Sequence, residues 1–159
     1  MYQDYRDLLF AFHAHGVKYF IMGGYAVIFH AQPRFTRDID LLIKPDLSNA
    51  QATYAALPAF GAPLHAIRPE EFAEPNSFFR FGREPRGIDI LSEIPGIDFD
   101  SAWKHRVEGI IDATSGFRAF FISADDLIAA KVAAGRPQDI ADAEAVRKAL
   151  RSRGQPQNQ

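Results

Sequence analysis

Asp38 and Asp40 stand two residues apart in Arg37-Asp38-Ile39-Asp40-Leu41-Leu42-Ile43, a stretch whose aliphatic residues predict a β-strand. Side chains at i and i+2 leave a strand on the same face, here about 6–7 Å apart along the backbone. At an effective dielectric near 20, two such carboxylates repel by roughly 2–3 kcal/mol. A hard divalent cation such as Mg2+ removes that repulsion, because it takes oxygen ligands from one or two carboxylates, water and substrate phosphates. The alternative is an edge strand facing solvent, with Arg34 or Arg37 neutralising the acids.

Asp89 repeats the anomaly between Ile88 and Ile90 in a second apolar run. Three strand carboxylates, two from one strand and one from a neighbour, suit two-metal phosphoryl transfer. Asp38 and Asp40 would bridge the ions, and Asp89 would bind beside the attacking hydroxyl and help to deprotonate it. The competing reading for Asp89 is an ion pair with Arg80 or Arg86 across a hairpin. Upstream, Gly23-Gly24 lies between a predicted strand and helix, where backbone N–H groups can approach a phosphate closely.

The elements that must position these residues follow from periodicity and punctuation. A helix is predicted over residues 2–15, stopped by Gly16, then a strand over 17–22 ending in the glycine pair. Residues 25–30 read as a helix ended by Pro33, 37–43 as a strand and 49–57 as a helix. Residues 61–76 read as a loop with one helical turn, followed by paired strands at 78–82 and 87–92. A short helix near 99–106 precedes strands at 107–111 and 117–122. Ser123 with Asp126 starts a helix to Ala134, Gly135 ends it, and Pro137 opens the last helix to about Arg151. This order predicts an α+β fold with a small mixed β-sheet and helices on one side. Residues 1–151 form one domain in this reading, and 152–159 a flexible tail.

Composition narrows the classes. A net charge of −2 argues against a general nucleic-acid coat, though not against a local basic patch. The stretch Phe78-Phe79-Arg80-Phe81-Gly82-Arg83-Glu84-Pro85-Arg86 mixes charge and aromatic faces as RNA binders do, and reads equally as a hairpin with a buried aromatic side. With no cysteine there is neither a disulfide nor a thiolate site, in keeping with a cytoplasmic location. No secretory leader and no membrane span are expected.

Gly23-Gly24, the Thr36-Arg37-Asp38-Ile39-Asp40 stretch and Asp89 together resemble the nucleotidyltransferase superfamily that includes polymerase beta and the tRNA CCA-adding enzymes. The resemblance extends over residues 8–150 for the small bacterial branch that includes abortive-infection-type toxins. It carries the further stretch from Leu127 to Leu150, with Lys131, Arg136, Asp139 and Asp142. It implies C-terminal helices closing the cleft and Mg2+, with two ions allowed, on Asp38, Asp40 and Asp89. Nucleoside triphosphate would lie on Gly23, Gly24, Thr36, Arg37 and Lys131, with Lys131 reaching its triphosphate.

The activity implied is transfer of a nucleoside monophosphate from an NTP, such as ATP, to an acceptor hydroxyl. A tRNA 3′ end, a protein side chain and a small molecule such as an antibiotic are the acceptors suggested, and a cognate antitoxin is the implied partner. The alternative is a non-catalytic module binding nucleotide or a partner. Two positions depart from the pattern: Gly24, often serine across the superfamily, and Ala31, often glycine in the branch. His30 reads as structural, at a helix end that favours imidazolium.

Overall fold

The computed structural model describes residues 1–154. Helix α1 (Gln3–Ala14) forms because Tyr5, Leu8, Leu9 and Phe12 fall on one face, and all four are buried. Strand β1 (Tyr19–Met22) leads directly into α2 (Gly23–His30), and β2 (Ile39–Ile43) follows after an extended segment. Asp46 caps α3 (Leu47–Ala56) by accepting from the Asn49 N–H at 2.7 Å. A 3-10 turn at Leu57–Phe60 follows directly, and a second lies at Pro69–Ala73, in the stretch expected to hold one helical turn.

The hairpin of β3 (Phe78–Arg83) and β4 (Arg86–Leu91) is present as expected. After it come α4 (Phe99–Trp103), the β5–β6 pair (Val107–Asp112, Phe117–Phe121), α5 (Ala124–Ala134) and α6 (Pro137–Gly154). Ser123 caps α5 through the Asp126 N–H, and Gly135 ends it with a left-handed φ of 71°. Helix α6 runs through residues 152–154 of the expected tail, and residues 155–159 of it lie outside the described region.

The six strands form one mixed sheet in the order β3-β4-β2-β1-β6-β5. Pairs β2–β4 and β1–β6 are parallel, and the others antiparallel. The expected α+β class is observed, but helices cover both faces rather than one. Tyr19 packs against Phe12 of α1, whereas its neighbour Phe20, pointing to the opposite face, packs against Phe99 and Trp103 of α4. Strand β2 is central, so the solvent-facing edge considered for Asp38 and Asp40 does not exist. Apart from Asp40, every residue of β2 is fully buried. No helix among the described residues is long and apolar enough to cross a membrane.

Candidate active site

Parallel pairing of β2 with β4 places Asp40 opposite Asp89, and antiparallel pairing of β3 with β4 places Arg80 opposite Asp89. A row of Arg80, Asp89 and Asp40 therefore crosses three strands on one face. Asp38, in the turn entering β2, joins them: its Oδ1 accepts the Gly87 N–H at 3.1 Å. A side chain at Gly87 would collide with that carboxylate, so glycine is required for the approach. Tyr5 fixes the same junction from α1, its hydroxyl lying 2.9 Å from the Gly87 carbonyl and 3.1 Å from that of Arg37. Nothing local in the sequence marks Tyr5 for this task.

The acids open into a cleft of about 520 Å³. Gly23, Gly24, Thr36, Arg37, Asp38, Asp40, Asp89 and Lys131 all line it, so the sequence-derived candidates share one site. Gly23 has φ 62°, and any Cβ there would overlap the Asp40 carboxylate. The N-terminus of α2 carries no side-chain cap, which leaves its first backbone N–H groups without a side-chain acceptor. Thr36 packs against Gly24, its hydroxyl filling the space that a side chain at residue 24 would occupy. A hydroxyl therefore stands beside the glycine pair, supplied by the neighbouring loop.

Asp40 accepts no hydrogen bond or ion pair from a side chain among the described residues, while Asp38 and Asp89 share Arg80. Its Nε and Nη2 donate to the two Asp89 oxygens at 2.7 Å each, and Nη2 donates to Asp38 Oδ2 at 3.1 Å. The Asp89–Arg80 ion pair raised from the sequence is therefore present, whereas Arg86 pairs with Asp4. Neither Arg34 nor Arg37 neutralises the three acids, because Arg34 binds Asp142 at 3.1 Å and Arg37 lies 3.6 Å from Glu84. Burial, then repulsion from Asp89, pushes the Asp40 carboxyl up to about 6, against the opposing field of Lys131.

Lys131 is not a solvated helix lysine. It is buried, with Nζ 2.9 Å from both Asp139 Oδ1 and Asp142 Oδ2. Asp139 also accepts from Arg136 Nε at 2.6 Å. Burial opposes its ionisation, but the bonds from Arg136 and Lys131 prevail and hold its carboxyl at about 2. Two buried aspartates of α6 thus tether Lys131, Arg136 and Arg34 along one wall. His30 is structural, though not as an imidazolium. Burial lowers its pKa, and its Nε2–H donates to the Ile122 carbonyl at 2.7 Å.

Among the described residues, no three Asp, Glu or His side chains converge into a ready-made metal cage. Arg80 draws Asp38 and Asp89 to itself, and Asp40 stands apart. The donor set still fits a hard divalent cation that takes its remaining ligands from water and phosphate. Asp40 presents a part-buried carboxylate with no partner, pressed by two neighbouring acids, directly against the Gly23 backbone. The far wall, from Leu91, Ile94, Pro95, Leu127, Ala130 and Ala134, is apolar.

Residues 8–150 match a protein family described as "Nucleotidyltransferase of unknown function (DUF6036)". Comparison with curated proteins gives no match. The family match spans most of the chain, and the chain belongs to this nucleotidyltransferase family.

Proposed function

We propose that the protein transfers a nucleoside monophosphate from an NTP to an acceptor hydroxyl, releasing pyrophosphate. The observation that carries this reading is the convergence of Asp38, Asp40 and Asp89 with the Gly23-Gly24 turn in one cleft. The acceptor oxygen attacks the α-phosphorus, the bond to the bridging oxygen of the β-phosphate breaks, and pyrophosphate leaves. Asp89 takes the acceptor proton. Asp38, Asp40 and Asp89 would hold Mg2+, one ion or two, and the metal would supply positive charge to the in-line transition state. Backbone N–H groups at Gly23 and Gly24 and the Thr36 hydroxyl bind the triphosphate. Lys131 adds the N–H donor that Asp139 and Asp142 leave unspent, and Arg37 flanks the same loop. The apolar wall receives the flat face of the nucleobase.

The test is label transfer. Protein, Mg2+, each α-labelled NTP and total tRNA are incubated beside an Asp38→Asn/Asp40→Asn control. Labelled tRNA that disappears in the control supports an RNA acceptor, as in the toxin-type relatives. Label on protein moves the acceptor to a side chain. Mg·NTP binding without transfer to either points to a small-molecule acceptor such as an antibiotic. A second reading, a non-catalytic module that binds nucleotide or an antitoxin, draws on the Arg80 bonds that tie up Asp38 and Asp89. NTP binding indifferent to Mg2+ and to the double substitution would select it.

A further inference from the structure

We infer that Arg80 is an internal cation that competes with divalent metal for Asp38 and Asp89, so that metal binding requires its guanidinium to leave. The inference rests on the metal-dependent reading above. The guanidinium holds both oxygens of Asp89 at 2.7 Å and one oxygen of Asp38 at 3.1 Å. Those are the lone pairs that a cation, or an acceptor proton arriving at Asp89, would need.

The geometry separates a fixed partner from a movable one. The Asp89 side chain is 9% exposed, inside the sheet, whereas that of Arg80 is 56% exposed on the outermost strand, β3. The arginine can swing into solvent on its long stem, and the carboxylate cannot follow. No other described cation makes an ion pair with these acids. Lys131, Arg34 and Arg136 are held by Asp139 and Asp142, and Arg37 and Arg86 face Glu84 and Asp4. An ordinary exposed ion pair contributes little. This one is bidentate, reaches a third oxygen and has a buried partner.

Competition has a definite size. If the site is open to metal for a fraction f of the time, its apparent dissociation constant is the intrinsic one divided by f. Were Arg80 engaged about nine-tenths of the time, for example, its removal would tighten metal binding about tenfold. A lysine keeps the charge but cannot make the two-pronged contact, so Arg80→Lys also tightens binding, by less.

The experiment titrates Mn2+ into the nucleotide-free full chain, following the free ion by electron paramagnetic resonance, for wild type, Arg80→Gln and Arg80→Lys. Melting curves in EDTA and in Mn2+ run alongside. Expected are tighter Mn2+ binding by both variants and a lower melting temperature of Arg80→Gln in EDTA. Mn2+ then restores that temperature, because the metal takes over neutralisation of Asp89. Equal or weaker Mn2+ binding by Arg80→Gln overturns the inference and leaves the metal site standing. Tightening in Arg80→Gln with Arg80→Lys unchanged also overturns it, since only the field of the charge would then matter. If Arg80→Gln does not fold, Arg80→Lys decides alone. No Mn2+ binding by wild type or either variant defeats the metal reading itself, and the inference with it.

Discussion

Asp40 is the residue on which the site's electrostatics turn. Its carboxyl is pushed up to about 6 by burial and by Asp89, so the folded state binds that proton more tightly than the unfolded chain does. Ionised Asp40 therefore opposes folding above pH 6, and the cost fades as pH falls towards the ordinary carboxylate range. Asp40→Asn in EDTA should be more stable than wild type at pH 8, by up to about 3 kcal/mol. Urea melts should show that gain shrinking between pH 6 and pH 4. A gain independent of pH would mean that the charge is not its source. The two aspartates were legible as an anomaly because a strand has no structural use for them. The Arg80–Asp89 pair was legible too, as one of two ion pairs open to Asp89 across the hairpin. Tyr5 was not: it is an ordinary core aromatic of an amphipathic helix, and its contact with Gly87 is one that local periodicity does not encode.

At the scale of elements, the α5–α6 corner holds the cationic wall of the cleft. Asp139 is 1% exposed and joins Lys131 to Arg136. Asp139→Ala leaves the buried Lys131 ammonium with Asp142 alone and should cost about 1–3 kcal/mol in chemical denaturation. Asp125→Ala, in the first turn of α5 and in no ion pair among those described, should change stability by less than about 1 kcal/mol. Caps and breakers made this region readable: Ser123, Gly135 and Pro137 mark the observed ends of the two helices. Boundaries shifted where a tertiary contact took over. Helix α2 begins at Gly23 rather than Tyr25, since the glycines that look like a turn form its first residues. Strand β2 begins at Ile39 rather than Arg37, because Asp38 turns to accept the Gly87 N–H instead of extending the ladder.

For the whole molecule, the decisive fact is strand order. Chain order gives no sign that β4 pairs with β2, or that β1 is flanked by β2 and β6. The three acids were found because carboxylates are unusual in strands, and Thr36, Arg37 and Lys131 through the family resemblance; their common cleft comes from that order. Binding of Mg·NTP should tie the sheet, the glycine turn and α5–α6 together. At a hundred times its dissociation constant the ligand should add about 2.7 kcal/mol of stability. The Asp38→Asn/Asp40→Asn protein should lose that increment in a thermal-shift titration while keeping its own melting transition.

The parallel register of β2 against β4, joining Asp40 to Asp89, has a consequence for biosynthesis. Its two halves are separated by α3, both 3-10 turns and β3, so the pairing closes a long loop before it is rewarded. The tie from Arg34 to Asp142 closes a longer one. On the ribosome, Asp38 and Asp40 emerge well ahead of Asp89, and the helices that bear Lys131, Asp139 and Asp142 come last. A nascent chain, or one cut before α6, carries the acids but not the assembled pocket. The cleft is assembled only once the first turns of α6, which bring Asp139 and Asp142 to Lys131, have been made.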